Sequence, residues 1–159
     1  MEAYDVISVE IDMAALPLRY PESRFAPPPI ADLADAGTRE RLSPGALKGF
    51  FNVMAKWGVR DESARALLGG VSNGRFYEWK RDPGGRVLDA DQLTRISYVV
   101  GIYKALHILY GPALADQWVQ LPNRNRIFAG ATPLAYMDRG GIGAMQTVRR
   151  LLDARRGGA

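Results

Sequence analysis

Apolar positions recur three or four apart along most of this chain, the spacing of helices that bury one face. Leu47, Phe50, Phe51, Met54 and Trp57 form the first such stripe. Ser43-Pro44 supplies a cap and a proline pre-set for the first helical position, so a helix is expected to start there and stop at Gly58. Asp61 is placed to cap a short second helix carrying Ala64, Leu67 and Leu68, which Gly69-Gly70 ends. Ser72 caps a third, holding Phe76, Tyr77 and Trp79 and closed by Asp82-Pro83-Gly84-Gly85. Asp89 and Gln92 have the spacing of a capping box and open the longest helix, about 89–110. Its core face is read as Leu93, Ile96, Val99, Val100, Tyr103, Leu106, His107 and Tyr110. Gly111-Pro112 stops it and restarts the chain as a short helix to about 121, whose Leu114 and Trp118 are expected to share a face.

The C-terminal stretch follows the same grammar. Pro122-Asn123 halts the chain, and a link carrying Phe128 and Gly130 leads to Thr132-Pro133, a cap and first turn. Gly140-Gly141 interrupts that helix, and Ile142, Met145, Val148, Leu151 and Leu152 put a last amphipathic helix over about 142–155. Ahead of all this, Ile7, Val9, Ile11 and Met13 alternate with polar residues like a short strand. Prolines 17, 21, 27, 28 and 29 then favour an extended path. The expected architecture is all-α: an acidic, proline-rich N-terminal arm over 1–42, a helix-turn-helix core with the long helix over 43–110, and a small helical domain over 111–159.

Composition narrows the chemistry. There is no cysteine, and a single histidine, His107, lies on an apolar helix face, so it reads as a hydrogen-bonded packing residue rather than a ligand or base. The acids Asp89, Asp91, Asp61 and Glu62 stand at helix starts, where negative charge is favoured, and are read as capping residues. No acid, base and nucleophile set assembles, so no catalytic residue, metal site or cofactor is expected. No basic leader with an apolar run and no long apolar span is visible, which leads to the expectation of a cytoplasmic protein with no membrane partner. The net charge of +4 conceals an asymmetry: residues 1–38 carry seven acids against Arg19 and Arg24, and the remainder carries 19 basic and 10 acidic side chains. Such a basic body suits a polyanion or an acidic protein surface.

Two short helices joined by a glycine turn have the form of a helix-turn-helix, whose second helix enters the major groove. Ser72, Asn73, Arg75, Tyr77, Lys80 and Arg81 then become the candidate DNA-binding residues. Arg75 and Asn73 are suited to base edges, Lys80 and Arg81 to phosphates, and Phe76 and Trp79 to the core.

The order Trp118, Pro122-Asn123, Phe128-Ala129-Gly130-Ala131-Thr132-Pro133-Leu134, double glycine and amphipathic helix resembles the toxin-binding domain of the Xre/MbcA/ParS antitoxins. Those are the neutralising partners of RES-domain toxins, which act on NAD. The resemblance is firm over the last quarter and looser over Pro44–Tyr110. It implies an antitoxin whose C-terminal domain covers the mouth of the NAD pocket of a cognate RES-domain toxin, with operator DNA as a second partner and assembly as a homo-oligomer or toxin–antitoxin hetero-oligomer. Carried over by position, the toxin-binding candidates are Asn123, Arg124, Asn125 and Phe128 in the loop, and Arg149, Arg150, Arg155, Arg156, Gly157, Gly158 and Ala159 at the end. Trp118, Phe128 and Tyr136 are read as packing within that domain. The alternative is a stand-alone helix-turn-helix transcription regulator that uses its C-terminal helices to dimerise.

Overall fold

The computed structural model describes residues 30–157, so the strand expected over 7–13, the arm up to residue 29, and Gly158 and Ala159 lie outside the described residues. Among the described residues the chain forms six α-helices, one 3₁₀ turn and no strand.

The first helix, α1, spans Ala36–Trp57. Asp35 caps it, accepting from the Thr38 N–H and the Thr38 hydroxyl, each at 2.8 Å. This corrects the expected start at Ser43: the opening turns carry only Leu42 as a large apolar residue, itself exposed, so no stripe marks them. Ser43 is instead a fully buried residue inside the helix. Its hydroxyl donates to the Arg39 carbonyl at 2.6 Å and accepts from the Leu88 N–H at 2.8 Å. Pro44 sits in the helix interior, where it deprives the preceding turn of one N–H. Gly58 ends the helix in the left-handed conformation, φ 63°. The Gln120 side-chain amide, from far along the chain, donates to the Trp57 and Gly58 carbonyls at 2.7 and 2.9 Å.

Next come α2 (Asp61–Leu67) and α3 (Asn73–Arg81). The long helix α4 (Ala90–Leu109) opens on the complete capping box of Asp89 and Gln92. After it follow α5 (Pro112–Gln117) and the 3₁₀ turn Trp118–Gln120. The chain changes helix type at Trp118, so α-helical spacing does not carry across: Trp118 and Ala115 are buried, and Leu114 is exposed, contrary to the expected shared face. The last helix, α6 (Pro133–Arg156), is capped by Thr132 and kinked at Gly141, where φ 60° and ψ −143° are closed to L-residues.

One core joins these helices. It gathers Leu47, Phe50, Met54 and Trp57 of α1, Leu67, Phe76 and Trp79 of the short pair, and Met145, Val148 and Leu152 of α6. The α4 residues Ile96, Val99, Ile102 and Leu106 hold the centre, and α4 packs most extensively on α6 and next on α1. Each such buried side chain contributes about 1.5–3 kcal/mol. Ile102 and Ala105 join the α4 core face, whereas Tyr103, His107 and Tyr110 are only half-buried at its margin.

Candidate functional site

The turn between α2 and α3 is built by glycine and arginine. Gly69 and Gly70 have φ of 95° and 83°, and the Arg65 side chain braces the turn by donating to the Val71 carbonyl at 2.8 Å. Leu68, Val71, Phe76 and Trp79 bury one side of this unit. At about 100° per residue, Gly74, Tyr77, Glu78 and Arg81 face away from Phe76 and Trp79, with Asn73, Arg75 and Lys80 on the flanks.

All six expected DNA-binding residues are exposed, and they fall into different roles. The Ser72 hydroxyl is the α3 cap, accepting from the Arg75 N–H at 3.4 Å. Tyr77 and Lys80 both reach back to Asp61: the phenol donates to its carboxylate at 3.0 Å and the ammonium at 2.9 Å. Asp61 is therefore the tie between α2 and α3 rather than a cap, and Arg60 occupies the cap position without a side-chain bond. The Lys80 hydrogen bond first, then the Tyr77 hydroxyl, hold the Asp61 carboxyl below the ordinary range, and the same contact raises the Tyr77 phenol. Arg75 and Arg81 form no ion pair with the described residues. Sequence reasoning missed Glu78, which stands on the outward side and pairs with Arg86 at 2.9 Å. Its acid at helical spacing from Arg81 was the available signal.

A second face lies at the C-terminal end. The loop after the 3₁₀ turn folds on itself: the Asn123 N–H donates to the Ala131 carbonyl and the Gly130 N–H returns to the Asn123 carbonyl, both at 3.1 Å. The Asn123 and Asn125 side chains accept from the N–H groups of Asn125 and Ile127, at 2.9 and 3.2 Å. These asparagines shape the loop and leave Arg124, between them, and Arg126, just after, exposed. Arg126 was not singled out from sequence. Phe128, 3% exposed, is held between Trp118 and Tyr136, with ring centroids 6.0 and 5.3 Å away. It supports the face from beneath.

On α6 the four expected arginines separate. Arg149 bonds Asp153 at 2.8 Å and lies over Gly101 of α4, where a Cβ would overlap its guanidinium. Arg155 donates to the Tyr110 hydroxyl at 3.1 Å, and Arg156 approaches Asp153 at 3.7 Å. Arg150 is exposed and in no ion pair among the described residues. Gly157 is exposed at the end.

The two faces share supports. The Arg95 side chain bonds Asp91 at 2.8 Å and lies beside Gly69 of the turn and Gly141 of the kink. Asp138 of α6 has a buried carboxylate oxygen without a hydrogen-bond partner among the described residues. Burial pushes that carboxyl above its ordinary range; the Ser63 hydroxyl of α2 opposes the shift, and Glu62 adds to it. His107 contacts the Tyr103 carbonyl through Nδ1 at 3.0 Å and Asp116 through Nε2 at 3.1 Å. Among the described residues, no three acidic or histidine side chains gather as a metal site, and no helix is long and apolar enough to cross a membrane.

Comparison with known proteins gives two adjoining family matches. Residues 38–101 match the model of the antitoxin Xre-like helix-turn-helix domain, and residues 104–158 match the antitoxin Xre/MbcA/ParS C-terminal toxin-binding domain. The chain is also 36% identical over 116 residues to "Uncharacterized protein y4oB" of Sinorhizobium fredii (strain NBRC 101917 / NGR234), spanning 72% of this chain and 87% of that protein. With a helix-turn-helix domain joined to a toxin-binding domain, the chain belongs to the Xre/MbcA/ParS antitoxin family.

Proposed function

We propose that this protein is the antitoxin of a type II pair, neutralising a cognate RES-domain toxin by covering its NAD-binding site and repressing its own operon in the cytoplasm. The observation that carries the reading is the adjoining pair of family matches, which together run from residue 38 to 158 with only a short gap. In this reading residues 111–159 face the toxin and residues 43–110 face operator DNA. Exposed Arg124, Arg126 and Arg150, with the chain end beyond Arg156, form the toxin-facing surface. A guanidinium offers a carboxylate or pyrophosphate two parallel hydrogen bonds, which suits it to the mouth of a pocket for a dinucleotide. Exposed Asn73, Arg75 and Arg81 are the DNA-facing donors. Oligomerisation would add avidity at a two-fold operator.

The experiment is co-expression with the adjacent open reading frame, followed by size exclusion and an NAD-turnover assay of that product alone and in complex. A stable complex with silenced NAD turnover is the expected result. A complex whose NAD turnover persists would remove the active-site-covering mechanism. No complex, together with tight operator binding, would instead favour a stand-alone regulator whose C-terminal helices dimerise.

A further inference from the structure

We infer that a groove between α1 and α4 is a docking site for an acidic, apolar-anchored segment of a partner polypeptide. The groove has a volume of about 680 Å³, a floor that includes Gly49, Val53, Val100 and Tyr103, and Lys56 and Lys104 on its rim. Both lysines are exposed, and neither is in an ion pair among the described residues. At its α1 end the groove adjoins a recess of about 460 Å³ that shares Lys56 and is lined by Trp57 and Asp116. Trp57 is 3% exposed, and its indole N–H has no hydrogen-bond partner among the described residues. A buried donor of this kind is costly until an acceptor reaches it.

Gly49 gives an independent reason to regard the groove as kept open. It lies inside α1, where glycine is less favourable than alanine by about 1 kcal/mol. A Cβ there would meet only the Val100 side chain, at 3.8 Å, which is ordinary contact. Packing among the described residues therefore does not require glycine, whereas a larger side chain would stand in the groove.

The occupant's chemistry follows from what the groove offers. The charges that line it are two ammonium groups, Lys56 and Lys104, beside the exposed Asn52 amide, and no carboxylate is among its lining residues. In the adjoining recess Asp116 Oδ1 lies 3.1 Å from His107 Nε2 yet has no hydrogen-bond partner among the described residues, and the Gln120 amide donates to the end of α1. Carboxylates with aliphatic side chains between them satisfy both donors and floor. Nucleic acid supplies the charge without the aliphatic anchors. A second copy presenting the same groove would bring its own lysines against these.

The test uses the full chain and a short fluorescein-labelled peptide of alternating glutamate and leucine, read by fluorescence anisotropy, with the lysine–leucine counterpart as control. The acidic peptide is expected to bind and the basic one not. Lys56→Glu with Lys104→Glu should weaken binding at least about tenfold. Gly49→Leu, which keeps both charges, should weaken it similarly while the circular dichroism melt stays cooperative. Arg41→Glu with Arg139→Glu makes the same change in net charge away from the groove and should leave affinity within about twofold. Equal loss in that control pair would reduce the binding to general charge attraction and overturn the proposal. Undiminished binding by Gly49→Leu would also overturn it, as would self-association that Gly49→Leu abolishes without any peptide binding.

Discussion

Ser43 joins α1 to the linker ahead of α4, and its hydroxyl is the acceptor for the buried Leu88 N–H. Ser43→Ala should cost about 1–3 kcal/mol, because that N–H would stay buried and unpaired; chemical denaturation measures it, and an unchanged midpoint would refute the bridge. This role was not legible in the sequence, where Ser43-Pro44 has the form of a helix start and the partner is remote. Gly141 was legible as a break, and its φ of 60° with ψ of −143° shows why glycine stands there. Gly141→Ala should destabilise the chain by about 1–3 kcal/mol, seen as a lower melting temperature. Phe128 reads from the sequence both as a toxin contact and as packing, and its burial between two aromatic rings places it with the packing. An inactive Phe128 variant would therefore report lost packing rather than a lost partner contact.

The helices themselves were largely readable, because caps and stops act locally. Ser72, Asp89 and Thr132 all cap as their spacing indicates, and the aromatic division of α3 follows its helical period. What escaped was side-chain traffic between helices, as with Asp61. Asp61→Asn should loosen α3 on α2 by no more than about 1 kcal/mol, since the pair is solvent-exposed. The sign with pH follows from a carboxyl held below its ordinary value. The tie contributes above the unfolded value, about 3.9, and is lost as pH falls through the lower folded value. Hydrogen exchange of α3 amides, compared between neutral and acid pH, should show protection falling in the parent and little further change in the variant. For DNA, Arg75→Ala with Arg81→Ala removes the two exposed cations of α3 that Asp61 does not hold. Operator affinity should fall about tenfold or more, with a shallower salt dependence, in a titration against salt. Retained toxin binding by the same variant would assign the loss to the DNA face.

At the scale of the molecule, the charge asymmetry and all-α class were plain from the sequence, and the shared supports between the two faces were not. Asp138 provides a way to measure one of them. Its folded value is raised, so its favourable contribution is present below the unfolded value and is lost as pH rises through the folded one. Asp138→Asn should accordingly raise the melting temperature at neutral pH, with the gain vanishing in acid; a gain independent of pH would remove burial of the charge as the cause.

The long helix α4 begins in the region matched to the helix-turn-helix domain and ends in the region matched to the toxin-binding domain, and its buried face is packed by α1 and α6 together. Such a chain resists modular exchange. A recombinant that took only the last fifty or so residues from a relative would seat a foreign α6 on a native α4, with mismatched volumes along the most extensive contact of the molecule. A wholesale graft would therefore have to carry α4 with it, whereas point changes at exposed positions such as Arg124, Arg126 and Arg150, the toxin-facing residues of the proposed function, would leave that contact intact.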